Sequence, residues 1–164
     1  MTTGIELAIN AMQAYHRTLI SASPRLLAPD LASYPTSLQT ASLPMILVWP
    51  ADGAWYLKGD GFGMDERTML VTVYVAPVAQ DDIPSRAMES VRLLEPLKNL
   101  WLTRAGVGIV NPGDNAGGYQ VTIESSFGNG HSDGGLTSGP TFAGVAYTGF
   151  VVRLKARISW TVVQ

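Results

Sequence analysis

The stretch Tyr147–Val163, YTGFVVRLKARISWTVV, decides how the rest of this chain can fold. From Phe150 onward the even positions read Phe150, Val152, Leu154, Ala156, Ile158, Trp160 and Val162, and the odd ones Val151, Arg153, Lys155, Arg157, Ser159 and Thr161. Successive side chains of a strand point to opposite faces, so this alternation predicts one β-strand with an apolar face and a cationic-polar face. At about 3.3 Å per residue, Phe150–Val163 spans roughly 45 Å if unbroken. A domain of 164 residues has a radius of gyration near ~15 Å and a diameter of only about 40 Å. Such a strand bends, or it reaches past the domain edge to another subunit.

The same alternation appears at Arg67–Ala76, with Met69, Val71, Val73 and Val75 on one side and Thr68, Leu70, Thr72 and Tyr74 on the other. That is the pattern of a central strand. The apolar run Pro44–Trp49 predicts a buried strand; Asp52-Gly53 predicts a turn, with Ala54–Leu57 returning as its hairpin partner. Gly59-Asp60-Gly61-Phe62-Gly63 then forms a flexible tip. Tyr119–Phe127 is a further strand, with Tyr119, Val121 and Ile123 on one face and Gln120, Thr122 and Glu124 on the other.

Two helices accompany these strands. Ile5, Ile9, Met12, His16 and Leu19, widened by Ala8 and Tyr15, place a helix over Thr3–Ile20. Thr2 or Thr3 caps it, and Thr3 with Glu6 makes a capping box. Ser21-Ala22-Ser23-Pro24 stops it. Asp81-Asp82-Ile83-Pro84 opens a second helix that runs to about Leu94; Pro96 either kinks it, so that it continues through Trp101 and Leu102, or separates it from a following helix. Its expected buried stripe is Val91, Leu94, Leu97 (or Lys98) and Trp101.

The connections differ in character. Arg25–Ser42, with Pro29 and Pro35, is expected to run extended over the surface. Gly106–Gly118 is turn-rich. Gly128–Gly144 is a Gly/Ser/Thr-rich connection without periodicity, of a length that is usually functional or disordered. No internal repeat occurs. The whole, residues 1–164, reads as one α/β (α+β) domain: a mostly antiparallel twisted sheet of about four to six strands packed against two helices.

Composition narrows the function. The chain is 46% hydrophobic but only 15% charged, against a usual ~25% charged, which suggests surface buried against partners. A net charge of -2 argues against general nucleic-acid binding through bulk charge. The absence of cysteine excludes disulfides, thiolate metal sites and a cysteine nucleophile. No apolar run approaches the ~20 residues that span a bilayer, and Met1-Thr2-Thr3-Gly4 does not begin a signal peptide. The expectation is a protein made in the cytoplasm with no membrane partner.

Catalytic signatures are weak. Gly59-x-Gly61-x-Gly63 precedes a strand, whereas a dinucleotide loop opens a helix. His131, Ser132 and Asp133 are neighbours in one loop and so cannot converge as a triad does. His16 reads as a hydrogen-bonded core or interface residue. Asp60, Asp65 and Glu66 match no calcium loop and read as a surface acid cluster. No catalytic, cofactor or metal site is expected. Arg153, Lys155 and Arg157 form a cationic row at roughly 7 Å intervals. They are either a solvated or protective strand face, or the lining of a channel that meets phosphates.

In order, the chain shows a first helix (Gly4–Ile20), a Pro-led apolar strand (Pro44–Trp49) and an Arg-led alternating strand (Arg67–Ala76). An acid-capped Val/Leu-rich helix (Asp82–Trp101), a long Gly/Ser/Thr loop and the closing strand (Tyr147–Trp160) follow. This order resembles the tail terminator family of long-tailed bacteriophages, which includes the lambda-type neck proteins. The resemblance implies a structural virion protein, not an enzyme, that forms a homohexameric ring. The ring would cap the tail tube and join it to the head connector, with DNA passing through its lumen without sequence specificity. Its partners would be itself, the tail tube protein and a head-completion or portal-side protein. Arg153, Lys155 and Arg157 would face the lumen. Gly128, Asn129, His131, Asp133, Leu136 and Phe142 would belong to a partner-docking loop that orders on a neighbouring ring. The closing strand would continue a sheet across a subunit boundary.

Other classes compete. A tail tube or head-completion protein would also form rings, though tube subunits have less helix at their start than Thr3–Ile20 provides. A ligand-binding or enzymatic α/β domain would place its site near Trp49, Trp55 and His131. A bacterial interaction module unrelated to phage is a third.

Overall fold

A computed structural model describes residues 3–21, 23–58, 62–78, 83–104, 108–110, 120–124 and 139–161. Helix α1 covers Gly4–His16. Its capping box forms as the sequence predicts: Glu6 N–H donates to Thr3 Oγ1 at 3.2 Å, and Thr3 N–H donates to the Glu6 carboxylate at 2.6 Å. These bonds hold the Glu6 carboxyl below its ordinary value. The α-helix ends at His16, earlier than expected, and Arg17–Ser21 continues as a tighter 3-10 turn.

Helix α2 runs Ile83–Arg104 with Pro96 inside it, so the proline does not divide the element. Leu93, Leu97 and Trp101 lie buried on either side of it, and this packing outweighs the hydrogen bond that proline removes. The buried stripe is Ser90, Leu93, Leu97 and Trp101, rather than one through Val91 and Leu94. Val91 is 38% exposed and Leu94 only borders the core. Val91, Leu93, Leu94 and Leu97 make a band wider than one contact line, and the approach of the sheet selects its centre.

The sheet contains β1 (Met45–Lys58), β2 (Phe62–Pro77), β3 (Gly108–Val110), β4 (Gln120–Glu124), β5 (Thr141–Phe142) and β6 (Val145–Thr161). The spatial order is β1-β2-β6-β4-β3, with β5 also paired to β6, and every ladder is antiparallel. The closing strand is unbroken over 17 residues and lies inside the sheet, between β2 and β4. The α+β reading therefore holds.

Two local predictions fail. Asp52-Gly53 is not a hairpin turn. The register passes from Pro50↔Met69 to Gly53↔Arg67, so Ala51 and Asp52 together oppose Thr68 as a β-bulge, and the reversal falls between Lys58 and Phe62. An Asp-Gly pair suits a bulge as well as a turn, and the longer ladder with β2 wins. Strand β3 lies within the stretch read as turns. A second bulge separates Tyr74↔Gly149 from Ala76↔Thr148. There Gly149 adopts φ 151°, and a Cβ on it would sit 1.9 Å from the Val73 carbonyl oxygen.

One sheet face carries the main core. Ile46, Val48, Met69, Val71, Val73, Phe150, Val152, Leu154 and Ile158 pack beneath Ile9 and Met12 of α1 and Leu93, Leu97 and Trp101 of α2. The opposite face has a smaller cluster at one end, built from Leu38, Leu43, Met45, Leu47, Tyr74 and Tyr147. The 25–42 segment is thus not merely extended over the surface: its 3-10 turns Leu31–Ser33 and Thr40–Ser42 fold it onto this end of the sheet.

A polar chain runs through the core. Trp101 Nε1–H donates to His16 Nε2 at 3.0 Å. Indole is only a donor, so Nε2 accepts and the proton sits on Nδ1, which donates to Gln13 Oε1 at 2.9 Å. Gln13 Nε2 donates to the Ile46 carbonyl at 2.9 Å and to Tyr34 Oη at 3.2 Å. The Tyr34 hydroxyl donates to the Val48 carbonyl and accepts from Val48 N–H. Burial pushes His16 down to about 3 and Tyr34 up to about 12. His16 is the hydrogen-bonded core residue its place on the stripe predicts.

Candidate functional site

Beyond the small cluster, the second face of the sheet has no covering layer among the described residues. Between Met64 and Leu70 on β2, and between Arg153 and Ser159 on β6, no side chain of this face is fully buried. Register places Leu70 opposite Arg153, Thr68 opposite Lys155 and Glu66 opposite Arg157. The three cations predicted to share a face do share it.

They do not form a bare row. Glu66, on the neighbouring strand, accepts from Arg157 Nε at 2.8 Å and lies 3.4 Å from Lys155 Nζ. The Arg157 hydrogen bond, with Lys155 adding to it, holds the Glu66 carboxyl below its ordinary value. Glu124 of β4 stands opposite Lys155 in register, and Thr122 stands opposite Arg157. An anion of β2 thus stands between two cations of β6, and Arg153 is the most exposed of the three cations. The face is an ion-pair lattice with a basic bias rather than a uniform positive stripe.

The sequence reading missed Glu66 as part of this face. It was grouped with Asp65 as a surface acid cluster, yet neighbours on a strand face opposite ways. Asp65 lies on the helix-covered face, only 8% exposed, where Arg67 donates to its two carboxylate oxygens at 3.2 and 3.0 Å. The signal was available: the alternation of Arg67–Ala76, extended back one residue, sets Glu66 with Thr68 and Leu70. Among the described residues no His, Cys, Asp and Glu group of three or more is placed to hold a metal.

Of the proposed docking loop, Gly128, Asn129, His131, Asp133 and Leu136 lie outside the described residues. Phe142 is described, and it is not a loop side chain. It belongs to β5, pairs with Val145 across a two-residue turn at Ala143 (φ 48°) and Gly144 (φ 81°), and meets Tyr74 edge-on with ring centroids 5.6 Å apart. Two positive φ values are what the right-handed twist of a tight hairpin demands.

The rival ligand site does not assemble from its described members. Trp49 is on the open face, edge-on to Tyr34 at 5.1 Å, whereas Trp55 stands opposite Asp65 on the other face, 72% exposed. A depression of about 540 Å3 lies beside the β1 bulge, among Asp52, Gly53, Glu66, Thr68 and Lys155; its lining holds no nucleophile paired with a base. No helix among the described residues is long and apolar enough to cross a membrane. No protein-family model matches the chain, and no curated protein matches it in sequence.

Proposed function

We propose that this protein is a structural component of a phage virion, forming a ring at the head–tail junction that caps the tail tube and joins it to the head connector. The observation that carries this reading is the length of β6. Its 17 residues span roughly 55 Å, more than the ~40 Å diameter of a domain this size. It lies beside two other long strands, β1 of 14 and β2 of 16 residues. One face of that ribbon is open and bears charge from Arg153, Lys155, Arg157 and Glu66. Rotational closure of such subunits would bring every copy of this face to a common lumen. There the excess of cation over anion suits weak, sequence-independent passage of DNA. Strong phosphate binding would stall the DNA, and the Glu66 pairs moderate it.

Electron micrographs of tails from a phage lacking the protein provide the test. Tubes of uncontrolled length that do not join heads are the expected outcome, and tails of normal length joined to heads would end the proposal. Arg153→Glu with Arg157→Glu should impair DNA passage while leaving joined particles intact.

A further inference from the structure

Strand β1 is one edge of the sheet, and its two halves are treated differently. In an antiparallel ladder the N–H and C=O of one residue point to the same side, and alternate residues point to opposite sides. In the first half, Ile46 and Val48 turn theirs away from β2. Ile46 N–H donates to the Leu27 carbonyl at 2.8 Å, the Ile46 carbonyl accepts from Gln13, and Val48 is bonded at both groups by the Tyr34 hydroxyl. Pro50, next in line, has no N–H to leave open. This half of the edge is sealed.

The second half is not. Val73 and Val71, the β2 partners of Ile46 and Val48, turn toward β6. So do Arg67, Asp65 and Gly63, because β2 pairs with β6 without a register break from Phe62 to Tyr74. The β1 partners of those three residues are Gly53, Trp55 and Leu57, whose main-chain groups therefore face outward. Among the described residues, no main-chain bond outside the β1–β2 ladder reaches 51–57. Trp55 is 72% and Leu57 67% exposed. Natural edges are protected by prolines, charges, bulges or covering segments; past the bulge at Ala51–Asp52, residues 53–57 carry no proline and no charge.

The order of residues in this half identifies the occupant. Paired antiparallel with itself about Trp55, the segment sets Asp52 opposite Lys58, Gly53 opposite Leu57 and Ala54 opposite Tyr56. Opposite charges meet, Gly53 and Ala54 face the large Leu57 and Tyr56, and the two Trp55 side chains meet each other at the two-fold centre, where an aromatic pair also stabilises cross-strand pairing. The same small-against-large device operates within the chain, where the Trp160 indole lies over Gly63, the partner of Leu57. The parity agrees as well: Gly53, Trp55 and Leu57 all present outward groups, so this register yields about six main-chain hydrogen bonds.

We propose that residues Asp52–Lys58 are a self-association edge that takes the same strand of a second copy of this chain, in the two-fold register centred on Trp55. The contact is isologous and closes as a pair. A two-fold contact has no place within a polar ring, so the pair is a form of the free protein. It stands or falls independently of the head–tail role.

Sedimentation and crosslinking of the purified chain test it. The wild type should sediment as a dimer, twice the 17.5 kDa subunit mass. Because there is no native cysteine, Trp55→Cys carries a single thiol. In the proposed register two such positions lie about 5.5 Å apart, so a short thiol crosslinker should join them. Ser37→Cys, on an exposed turn, should not crosslink. Trp55→Pro removes the exposed indole and an N–H that β2 does not use, and should give a monomer with unchanged circular dichroism. Asp52→Lys should weaken the dimer by about tenfold, and Asp52→Lys with Lys58→Asp should restore it. A wild-type monomer at roughly 100 µM, an oligomer indifferent to Trp55→Pro, or a dimer without the Trp55→Cys crosslink would each overturn the proposal.

Discussion

The two halves of β1 share a strand, a partner and a face alternation, yet they have opposite fates. Met45–Val48 are buried on both faces, between the helices and the 34–43 segment, and their outer edge is bonded to Leu27, Gln13 and Tyr34. Residues 51–57 are exposed or half-exposed throughout. Large apolar side chains occur in both, Ile46 and Leu47 in the first and Trp55 and Leu57 in the second. The difference is supplied by what the rest of the chain brings to each end. An apolar strand is sealed where helices and loops reach it, and where they stop it remains available to another molecule.

Two tryptophans break this comparison most sharply. Trp101 is 1% exposed and Trp55 72% exposed. Trp101→Ala should cost about 3–5 kcal/mol in denaturant unfolding, removing both a core ring and the donor to His16. Trp55→Ala should stay within ~0.5 kcal/mol in the monomer. Equal effects would mean that the distal half is as enclosed as the proximal one.

The next effect is pH-dependent and belongs to the sealed half alone. His16 is buried without charge, and its value of about 3 lies below the ~6.5 of an unfolded chain. The unfolded state therefore takes up the proton first, and stability present above pH ~6.5 is lost as pH falls toward ~3. Urea unfolding between pH 7 and 4 should show this slope, and His16→Gln, though less stable at pH 7, should flatten it. A slope unchanged by the substitution would place the acid sensitivity elsewhere.

The smallest effect is expected on the open face. Glu66→Gln breaks two ion pairs whose cations are 42% and 38% exposed at the side chain. Its cost in thermal unfolding should be the smallest of the three and should shrink further with salt. A larger loss would make the lattice a structural element of the sheet rather than a solvated surface.

Alternation was legible from the chain alone because period 2 is a local property. It placed Arg153, Lys155 and Arg157 on one face and Val71 and Val73 on the other. The capping box at Thr3 and Glu6 and the buried place of His16 were equally local. The Asp52-Gly53 bulge was not, since the same dipeptide turns or bulges depending on how far β2 continues to pair. Nor was the central row of α2, where Leu93 displaced Val91 and Leu94.

By itself, then, the sequence determined the elements and the sidedness of the long strands, because these depend on each residue and its near neighbours. Only the tertiary structure decided that β6 is interior and β1 the edge, that Glu66 neutralises part of the cationic row, and that sealing ends at Pro50. Those outcomes depend on which distant segments meet, and hydrophobic contact, being non-directional, leaves that choice to the packing of the whole chain.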